Sequence, residues 1–486
     1  MLFNSLDFAI FLPIVFILYW FFAQNNLKLQ NTLIVVASYV FYGWWDWRFL
    51  SLIIFSTIID YVVGQKLRTE EKEIKRKVLL WTSIIVNLGF LGFFKYYNFF
   101  LESFVDAFLI LGMQINANSL NIILPVGISF YTFQTLSYTI DVYKKKLEPT
   151  QDFIAFSAFV CFFPQLVAGP IERATNLLPQ FYKKRVFDYQ KAVDGMRQVL
   201  WGLFKKVVIA DNCAEFANMI FDNSTDMNGS TLILGAIFFT FQIYCDFSGY
   251  SDIAIGTSRL FGFDLKQNFA TPYFSRDIAE FWRRWHISLS TWFRDYLYIP
   301  LGGSRGGTWM KVRNTFAIFL VSGFWHGANW TFIIWGALNA IYFLPLLLTN
   351  NNRKNLGVVA EGKLLPSLRE LFAMFTTFML TVFAWIFFRA ENIGHAFSYV
   401  GGIFSFDFFE FHLFNSHQYF NMITTLLLII ILILIEWFSR NQPHPFSKLF
   451  IKSKYPLNYF IYLFFVFLIL LFGKFVDNEQ FIYFQF

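Results

Sequence analysis

The sequence is poor in charged residues. Only 15% of its 486 residues are Asp, Glu, Lys or Arg, whereas an ordinary soluble domain has about 25%. Hydrophobic residues make up 56% of the chain and aromatic residues 22%, including 69 phenylalanines. A surface that faces water could not carry so much apolar area without aggregating. The composition therefore excludes an ordinary soluble protein and indicates an integral membrane protein.

Cysteine is also scarce. Cys161, Cys213 and Cys245 lie far apart in apolar stretches, which favours neither a disulfide framework nor a CxxC metal site. The sequence also lacks an HExxH motif, a GxSxG motif, a P-loop and a GxGxxG fingerprint. We therefore expect no metal site, no bound nucleotide cofactor and no soluble-hydrolase chemistry.

The formal net charge is +7. In a membrane protein such an excess usually reflects cytoplasmic loops, so we expect no nucleic-acid partner. The basic segments 66–77, 144–146, 349–369 and 440–456 are predicted to face the cytoplasm. This assignment leaves the C-terminal tail on the opposite side of the membrane.

Ten apolar stretches are long enough, or nearly long enough, to cross a bilayer. They lie at about 6–23, 31–45, 49–63, 78–97, 121–142, 231–256, 315–348, 370–389, 421–438 and 457–474. The stretch 315–348 could hold two short spans, so we predict ten to twelve crossings. We expect one membrane-embedded domain over residues 1–486, with a catalytic core at about 121–348 and C-terminal spans and tail at 370–486.

Two segments do not read as simple spans. The stretch 162–170 is apolar but contains two prolines and a glycine. It favours a re-entrant segment, with a cytoplasmic loop as the alternative, because broken backbone at membrane depth needs protein or water around it. The stretch 193–209 mixes an apolar face with basic residues that include Lys205 and Lys206, which predicts an interfacial helix.

His326 is the first candidate for catalysis. It lies in a run from Asn314 to Asn352 that contains no charged residue. A helix starting near Asn314 would place it roughly 18 Å along the helix, past the middle of a hydrocarbon core of about 30 Å. Polar groups at such depth usually mark function. A neutral imidazole can act as a general base, with Trp325 beside it and Asn329 able to orient it. The alternative is a structural histidine bonded across a helix interface.

His286 is the second candidate. It lies in the segment 281–296, where aromatic and apolar residues recur at helical spacing after a possible N-cap at Ser275. An amphipathic interfacial helix with outward-reaching arginines is the simpler interpretation. That interpretation accounts for the arginines but explains the histidine poorly.

Basic and acidic residues nearby suggest supporting roles. Arg283, Arg284 and Arg305 are candidates for binding the phosphates of a donor. The glycine-rich segment 302–307 could form an anion-binding nest, or be only a flexible basic loop. Asp246 is an acid in an apolar stretch, and could hydrogen-bond a histidine or a buried arginine, or form a purely structural pair.

Four motifs make the chain resemble the membrane-bound O-acyltransferase family, in the branch that O-acetylates alginate. The motifs are FFPQLVAGPIER at 162–173, YCDFSGYSDIAIG at 244–256, FWRRWHISLSTWFRDYLYIPLGGSRGG at 281–307 and SGFWHGANW at 322–330. The resemblance extends over essentially the whole chain. It implies an all-α polytopic fold, in which transmembrane, re-entrant and interfacial helices surround a central tunnel.

The resemblance also implies a chemistry. His326 matches the essential catalytic histidine of the family, and His286 matches a second active-site histidine. A thioester donor, acetyl-CoA or an acyl carrier, would arrive from the cytoplasm and an acceptor hydroxyl from the other face, with no bound cofactor. His326 would take the hydroxyl proton while His286 or Asn329 stabilises the developing oxyanion.

Members of this branch usually work in a bacterial inner membrane with an SGNH-type surface acetyltransferase, which acetylates a polysaccharide. The C-terminal residues 481–486 read FIYFQF, and they could be an aromatic interface anchor. They also resemble an acyl-relay tail, in which Tyr483 would carry the acyl group to the partner.

Two other functions remain open from the sequence. The first is acylation of peptidoglycan or teichoic acid by the same chemistry. The second is a transporter or flippase without covalent chemistry, which would show inverted repeats and paired intramembrane charges. Neither feature is visible in the sequence.

Overall fold

The computed structural model of the protein describes residues 1–115, 117–404, 415–447, 455–475 and 481–482. All regular structure in these ranges is helical, which confirms the predicted all-α class. The chain divides into two compact units, residues 1–192 with 257–265 and residues 193–256 with 266–486. The predicted catalytic core at about 121–348 takes residues from both units.

The first unit contains the helices α1 to α8. They are Leu6–Ile17 (α1), Leu27–Asp46 (α2), Leu50–Thr69 (α3), Glu73–Leu91 (α4), Tyr97–Ile110 (α5), Ile128–Tyr143 (α6), Phe153–Cys161 (α7) and Ala174–Leu177 (α8). Helices α3, α4 and α6 pack around the buried carboxylate of Asp60. This carboxylate accepts hydrogen bonds from Ser83, from Thr139 at 3.1 Å and from Asn87 at 2.9 Å. Such bonds join helices that have no hydrophobic drive to associate in lipid.

The broken stretch 162–170 lies wholly inside the first unit. Phe162 and Leu166 are completely buried. The amide of Phe163 donates to the hydroxyl of Ser38 at 3.0 Å, and the amide of Gly169 donates to the Gln165 carbonyl at 3.0 Å. Protein groups therefore satisfy this backbone, as a re-entrant segment requires.

The second unit contains most of α9 and the helices α10 to α19. They are Tyr189–Leu203 (α9), Asp211–Asp222 (α10), Gly229–Leu260 (α11), Ile278–Arg284 (α12), Ile287–Phe293 (α13), Thr308–His326 (α14), Trp330–Leu348 (α15), Leu368–Arg389 (α16), Ile393–Ile403 (α17), Ser416–Ser439 (α18) and Tyr455–Phe472 (α19). A π-helical segment, Phe204–Ala210, joins α9 to α10, and a second, Arg294–Tyr298, follows α13.

Within the described ranges, six helical segments are long and apolar enough to cross a membrane. They are Leu27–Thr69, Glu73–Ile110, Gly229–Leu260, Trp330–Leu348, Leu368–Arg389 and Ser416–Ser439. These segments confirm a polytopic membrane protein, while the total of ten to twelve crossings stays a prediction. The stretch 315–348 does form two helices, α14 and α15, as its length suggested.

The prediction of an interfacial helix at 193–209 is wrong, because the lysines that were expected on its polar face point into the protein. Lys205 and Lys206 are 3% and 7% exposed, and Lys205 pairs with Asp252 at 2.6 Å. The inward direction follows from the close packing of α11 against this segment. A Cβ added to Gly249 would lie 2.8 Å from the Gly202 carbonyl oxygen, so only glycine permits this approach.

Candidate active site

His286 lies at a break between two short helices. Helix α12 ends at Arg284 and α13 begins at Ile287, so the single helix predicted over this segment is wrong. The cap of α12 is Asp277, whose side chain accepts from the Glu280 amide, and not Ser275. His286 itself has φ 43° and ψ 54°. This left-handed conformation is unusual for a residue other than glycine, and such positions concentrate at functional sites.

Asn268 holds the break in place. Its backbone carbonyl accepts from the Ile287 amide at 2.9 Å, and its Oδ1 accepts from the Ser288 amide at 3.2 Å. The same Oδ1 lies 3.2 Å from Nδ1 of His286. Because an atom that accepts from a backbone N–H must be the amide oxygen, Nδ1 of His286 is the proton donor. Nε2 is then the basic nitrogen of the neutral ring.

His326 is the last residue of α14. Gly327 follows in extended backbone, and α15 turns back from Trp330. The two helices pack closely, since a Cβ on Gly323 would lie 2.2 Å from the Phe332 carbonyl oxygen. His326 thus stands at the turn of a tight helical hairpin and is 3% exposed.

One aromatic cluster packs around His326 and reaches His286 through Trp325. It consists of Trp285, Trp325, Trp335, Trp385 and Phe388, all of which are at most 4% exposed. The ring of His326 lies 5.0 Å from that of Trp325, 5.2 Å from that of Trp335 and 5.3 Å from that of Phe388, each in an edge-on arrangement.

Trp325 links the two histidines directly. Its ring lies 6.1 Å from the ring of His286 and 5.0 Å from the ring of His326. Both imidazoles therefore have the same indole as a neighbour, although 39 residues lie between the two histidines in the sequence. The structure brings together the two histidines that the sequence marked separately.

A cavity of about 230 Å³ runs along α14 toward this cluster. Its lining includes Thr315, Phe319 and Ser322 of α14, and Ser322 lies one helical turn before His326. Arg294, which pairs with Asp295 at 2.7 Å, and Arg353 also line it, and none of the described residues in its lining is acidic. The cavity is therefore suited to an anionic group with an extended apolar arm.

A second cavity, of about 340 Å³, lies near His286. Phe269 lines this cavity, and its ring lies 6.3 Å from the His286 ring. The cavity is lined by three cationic and two acidic side chains, which are Lys205, Arg284, Arg440, Asp252 and Glu436. Its charge is more balanced than that of the cavity along α14.

The three predicted donor-binding arginines lie in different places. Arg284 lines the second cavity and donates to Glu280 at 3.1 Å and to the Gly357 carbonyl at 3.0 Å. Arg283 donates to the carbonyls of Asn352 and Asn355. Arg305 is exposed. Donor binding by each of them stays a prediction.

The glycine-rich segment 302–307 uses several of its amides internally. The amides of Gly302, Gly303 and Arg305 donate to carbonyls of residues 298–302 at 2.8–3.3 Å. Gly302 and Gly303 have φ 104° and φ 58°, so the segment is a tight turn that leads into α14. These internal bonds favour the loop interpretation over an anion nest.

The remaining predicted residues have defined surroundings, with one exception. The Asn329 side chain caps α15 by accepting from the Thr331 amide at 3.0 Å, and it donates to the Glu391 carbonyl at 2.7 Å. Asp246 pairs with Lys206 at 2.8 Å, so its charged partner here is a lysine and not the predicted histidine or arginine, which agrees with the alternative of a structural pair. Tyr483 lies outside the described residues.

Comparison with known proteins identifies the family. Residues 142–383 match the family model of the membrane-bound O-acyltransferases. Over 410 residues, the chain is 42% identical to the probable alginate O-acetylase AlgI of Pseudomonas aeruginosa, covering 84% of this chain and 75% of the relative. The chain belongs to the membrane-bound O-acyltransferase family.

Two further relatives extend this comparison. The acyltransferase is 40% identical over 454 residues to the probable alginate O-acetylase AlgI of Azotobacter vinelandii, covering 92% of this chain and 87% of that one. It is 37% identical over 433 residues to the peptidoglycan O-acetyltransferase of Helicobacter pylori, covering 83% and 80%. The chain is thus a multi-pass membrane O-acyltransferase, of the acetyltransferase type, and the transporter alternative is set aside.

Sequence reasoning missed several residues that build this site. Asn268 lies in an irregular segment without periodicity, so no local pattern pointed to it. Phe247, whose ring lies 4.5 Å edge-on from the His286 ring, was only one of 69 phenylalanines. Trp385 and Phe388 come from α16, beyond the predicted catalytic core. Only the packing of distant segments identifies these residues.

Proposed function

We propose that this acyltransferase moves an acetyl group from a cytoplasmic thioester donor, across a bacterial inner membrane, to hydroxyls of a cell-surface or exported polysaccharide. The observation that supports this proposal best is the arrangement of His286 and His326. Both are buried, both contact Trp325, and a cavity without acidic side chains ends one helical turn from His326. Acyl transfer between two substrates needs such a water-poor site, because water would hydrolyse the thioester.

In the proposed reaction, His326 removes the proton of the acceptor hydroxyl as its oxygen attacks the thioester carbonyl. The tetrahedral intermediate carries an oxyanion, which an N–H of Asn329 or of His286 stabilises. His286 can do so only when Nε2 also carries a proton, because its Nδ1–H is donated to Asn268. The carbon–sulfur bond then breaks, and the thiol leaves with the proton that His326 had taken. The acetyl ester of the acceptor is the product, and no metal or bound cofactor enters the reaction.

The cavity along α14 is the proposed donor path. Its arginines, Arg294 and Arg353, would bind the phosphates of acetyl-CoA or of an acyl carrier's prosthetic arm. Arg353 belongs to the basic segment 349–369, for which we predict the cytoplasmic side. A volume of about 230 Å³ holds the thioester arm but not a whole nucleotide. Supplying the purified protein with acetyl-CoA or with an acetylated carrier protein, and measuring thiol release, distinguishes the two donors.

The acceptor polymer has three candidates. The similarity to the alginate O-acetylases favours an acidic exopolysaccharide, while the peptidoglycan O-acetyltransferase of Helicobacter pylori, 37% identical, supports peptidoglycan as the second. Teichoic acid is a third polymer with suitable hydroxyls. Ester analysis of isolated polymers separates these candidates directly.

We further propose that an SGNH-type surface acetyltransferase receives the acetyl group through Tyr483. The Tyr483 hydroxyl would be the acceptor in the reaction above, so His326 takes its proton and the thiol leaves with that proton. The partner's serine hydroxyl would then attack the acetyl carbonyl of the phenyl ester, and the phenol of Tyr483 would leave with the serine's proton. Replacing Tyr483 with Phe removes the oxygen and is expected to abolish polymer acetylation while leaving the protein inserted. Unchanged acetylation in Tyr483→Phe would exclude the relay.

The decisive experiment for the proposed function compares surface polymers by mass spectrometry. Cells with the wild-type protein are expected to carry acetyl esters that are missing from cells without it. His326→Ala is expected to reproduce the loss at an unchanged protein level in the membrane. If the esters persist in cells that lack the protein, the proposed function is wrong.

A further inference from the structure

The last described residues of the chain are buried in the second unit. Phe481 and Ile482 are each 2% exposed, whereas Phe475, which follows α19, is 47% exposed. A buried chain end near an active site requires specific partners, since each buried backbone N–H must find an acceptor.

The partner of this backbone is a carboxylate of α11. The amide of Ile482 donates to Oδ2 of Asp246 at 2.7 Å. The ring of Phe481 lies 4.9 Å from that of Tyr250 and 5.9 Å from that of Phe247. One turn of α11 therefore supplies both a hydrogen-bond acceptor and an aromatic slot for the chain end.

The charges around Asp246 favour such a donor. Lys206 lies 2.8 Å from Oδ1 of Asp246 and 2.7 Å from Asp211, and all three residues are at most 7% exposed. One ammonium thus contacts two buried carboxylates. A backbone N–H that points at Asp246 adds a second donor to its buried carboxylate and lowers the cost of burying that charge.

The same short segment also holds the end of α19. The Lys474 amide donates to the Val207 carbonyl at 3.1 Å, and the Asn212 side chain donates to the Phe472 carbonyl at 2.9 Å. Val207 belongs to the π-helical segment Phe204–Ala210 that carries Lys206. Phe472, at the end of α19, and Lys474 are therefore attached to the elements that surround Asp246.

The docked chain end is a close neighbour of His286. Phe247 contacts both, because its ring lies 5.9 Å from the Phe481 ring and 4.5 Å from the His286 ring. Movement of Phe481 would therefore change the packing on which the His286 ring rests.

We propose that Asp246, supported by Lys206 and Asp211, is a positioning site that holds residues 481 and 482 near His286 during acetyl transfer. Asp246 acts through the main chain of residue 482, and not as a group that touches substrate. The catalytic consequence rests on the proposed function, whereas the docking itself does not.

Docking is tested first, without reference to activity. A cysteine at position 482 keeps the backbone N–H, and the native cysteines are completely buried. We expect maleimide to label Ile482→Cys slowly, and at least tenfold faster when Asp246→Ala is added. Asp246→Asn, which keeps the shape and loses the charge, is expected to give an intermediate rate.

The matched control removes another buried carboxylate. Asp60 lies in the first unit and is held by Ser83, Asn87 and Thr139. Asp60→Asn is expected to leave the labelling of Ile482→Cys unchanged. Equal labelling rates with and without Asp246→Ala would overturn the docking proposal.

The role in catalysis is tested with the full-length chain by a double-mutant cycle. Proline at position 482 removes the N–H from which Asp246 accepts, and it also replaces the isoleucine side chain and fixes φ. We expect Ile482→Pro and Asp246→Ala each to lower polymer acetylation at least tenfold, and the double variant to lie within twofold of either. Ile482→Ala keeps the N–H and is expected to lose less activity than Ile482→Pro.

Two results would contradict this role. If Ile482→Pro acetylates as well as wild type, the main-chain contact has no catalytic effect. If the two losses multiply, Asp246 acts independently of the chain end. Absence of acetyl esters even with the wild-type protein would instead refute the proposed function, while the labelling result would still decide the docking.

Discussion

At the scale of single residues, the backbone of His286 is as informative as its ring. A left-handed conformation costs a residue other than glycine about 1–2 kcal/mol, and here Asn268 sustains it through bonds to the next two residues. The conformation turns the imidazole toward Phe247 and Trp325, away from the surface that a continuous helix would have offered. The strain thus places the ring in the site.

Substitutions at His286 are expected to distinguish the effect of its backbone conformation on stability from the effect of its ring on activity. Asparagine tolerates the left-handed region, so His286→Asn should keep its thermal midpoint in detergent within a few degrees. Its acetylation should fall by about 10²-fold or more, the usual share of an acid–base or oxyanion group. His286→Val should lose stability as well, because a β-branched residue fits this conformation poorly.

Thermal unfolding and ester analysis on the same preparations check this prediction. If His286→Asn acetylates the polymer at the wild-type level, the imidazole ring has no role in the reaction. His286→Val with wild-type stability would show that the backbone there is not strained.

Ser322 tests the proposed donor path. It lines the cavity along α14, and its neighbour Val321 is 42% exposed on the outer face of the same helix. Ser322→Phe would fill the inner end of the cavity and is expected to reduce thioester turnover at least tenfold. Val321→Phe places the same aromatic ring outside the cavity and serves as the matched control. Equal turnover in the two variants would contradict the assignment of this cavity to the donor.

At the scale of elements, the α14–α15 hairpin fixes the position of His326. Gly323 lies three residues before the histidine and directly against the backbone of Phe332. Gly336 makes the reciprocal contact, since a Cβ there would lie 2.4 Å from the Phe319 carbonyl oxygen. Small residues commonly allow such close helix packing in membranes.

Gly323→Ala is therefore expected to push the two helices apart. Backbone atoms cannot rotate away as a side chain can, so we expect a loss of about 1–3 kcal/mol in stability and a parallel fall in activity. Gly401→Ala in α17 is the control, because a Cβ there meets nothing within 4 Å. Thermal midpoints of the two variants in the same detergent decide the matter. A midpoint for Gly323→Ala as high as that for Gly401→Ala would show that the hairpin can adjust without cost.

At the scale of the whole molecule, the basic segments predict which ends face the cytoplasm. Lys145 belongs to a predicted cytoplasmic segment, and Phe475 precedes the tail that we place outside. The native cysteines are completely buried, so the wild-type protein gives a low background with thiol reagents. In intact cells, a reagent that cannot cross the inner membrane is expected to label Phe475→Cys and not Lys145→Cys.

The reverse pattern in that experiment would invert the predicted topology. It would also place the cavity along α14 away from the cytoplasm, since Arg353 belongs to a segment assigned to the same side as Lys145. Labelling of both positions only after the membrane is opened would place both on the inside and remove the external tail.

The sequence by itself determined that this protein is embedded in a lipid membrane and which enzyme family it belongs to. Low charge and 56% hydrophobic residues require lipid whatever the fold, because transfer free energy depends on the total apolar area. The motifs around His286 and His326 likewise predicted the family, since their residue types and order are local properties of the chain. The division of 315–348 between two helices followed from its length alone.

Only the tertiary structure decided how the site is built. The break at His286 depends on Asn268, the direction of Lys205 and Lys206 depends on the close approach of α11, and the surroundings of Asp246 depend on the chain end. The local pattern had indicated a regular helix at His286, lysines that face solvent at 205 and 206, and an ordinary buried acid at Asp246. Long-range hydrogen bonds and ion pairs in a water-poor interior outweighed that local preference, because an unsatisfied polar group there costs more than a strained backbone.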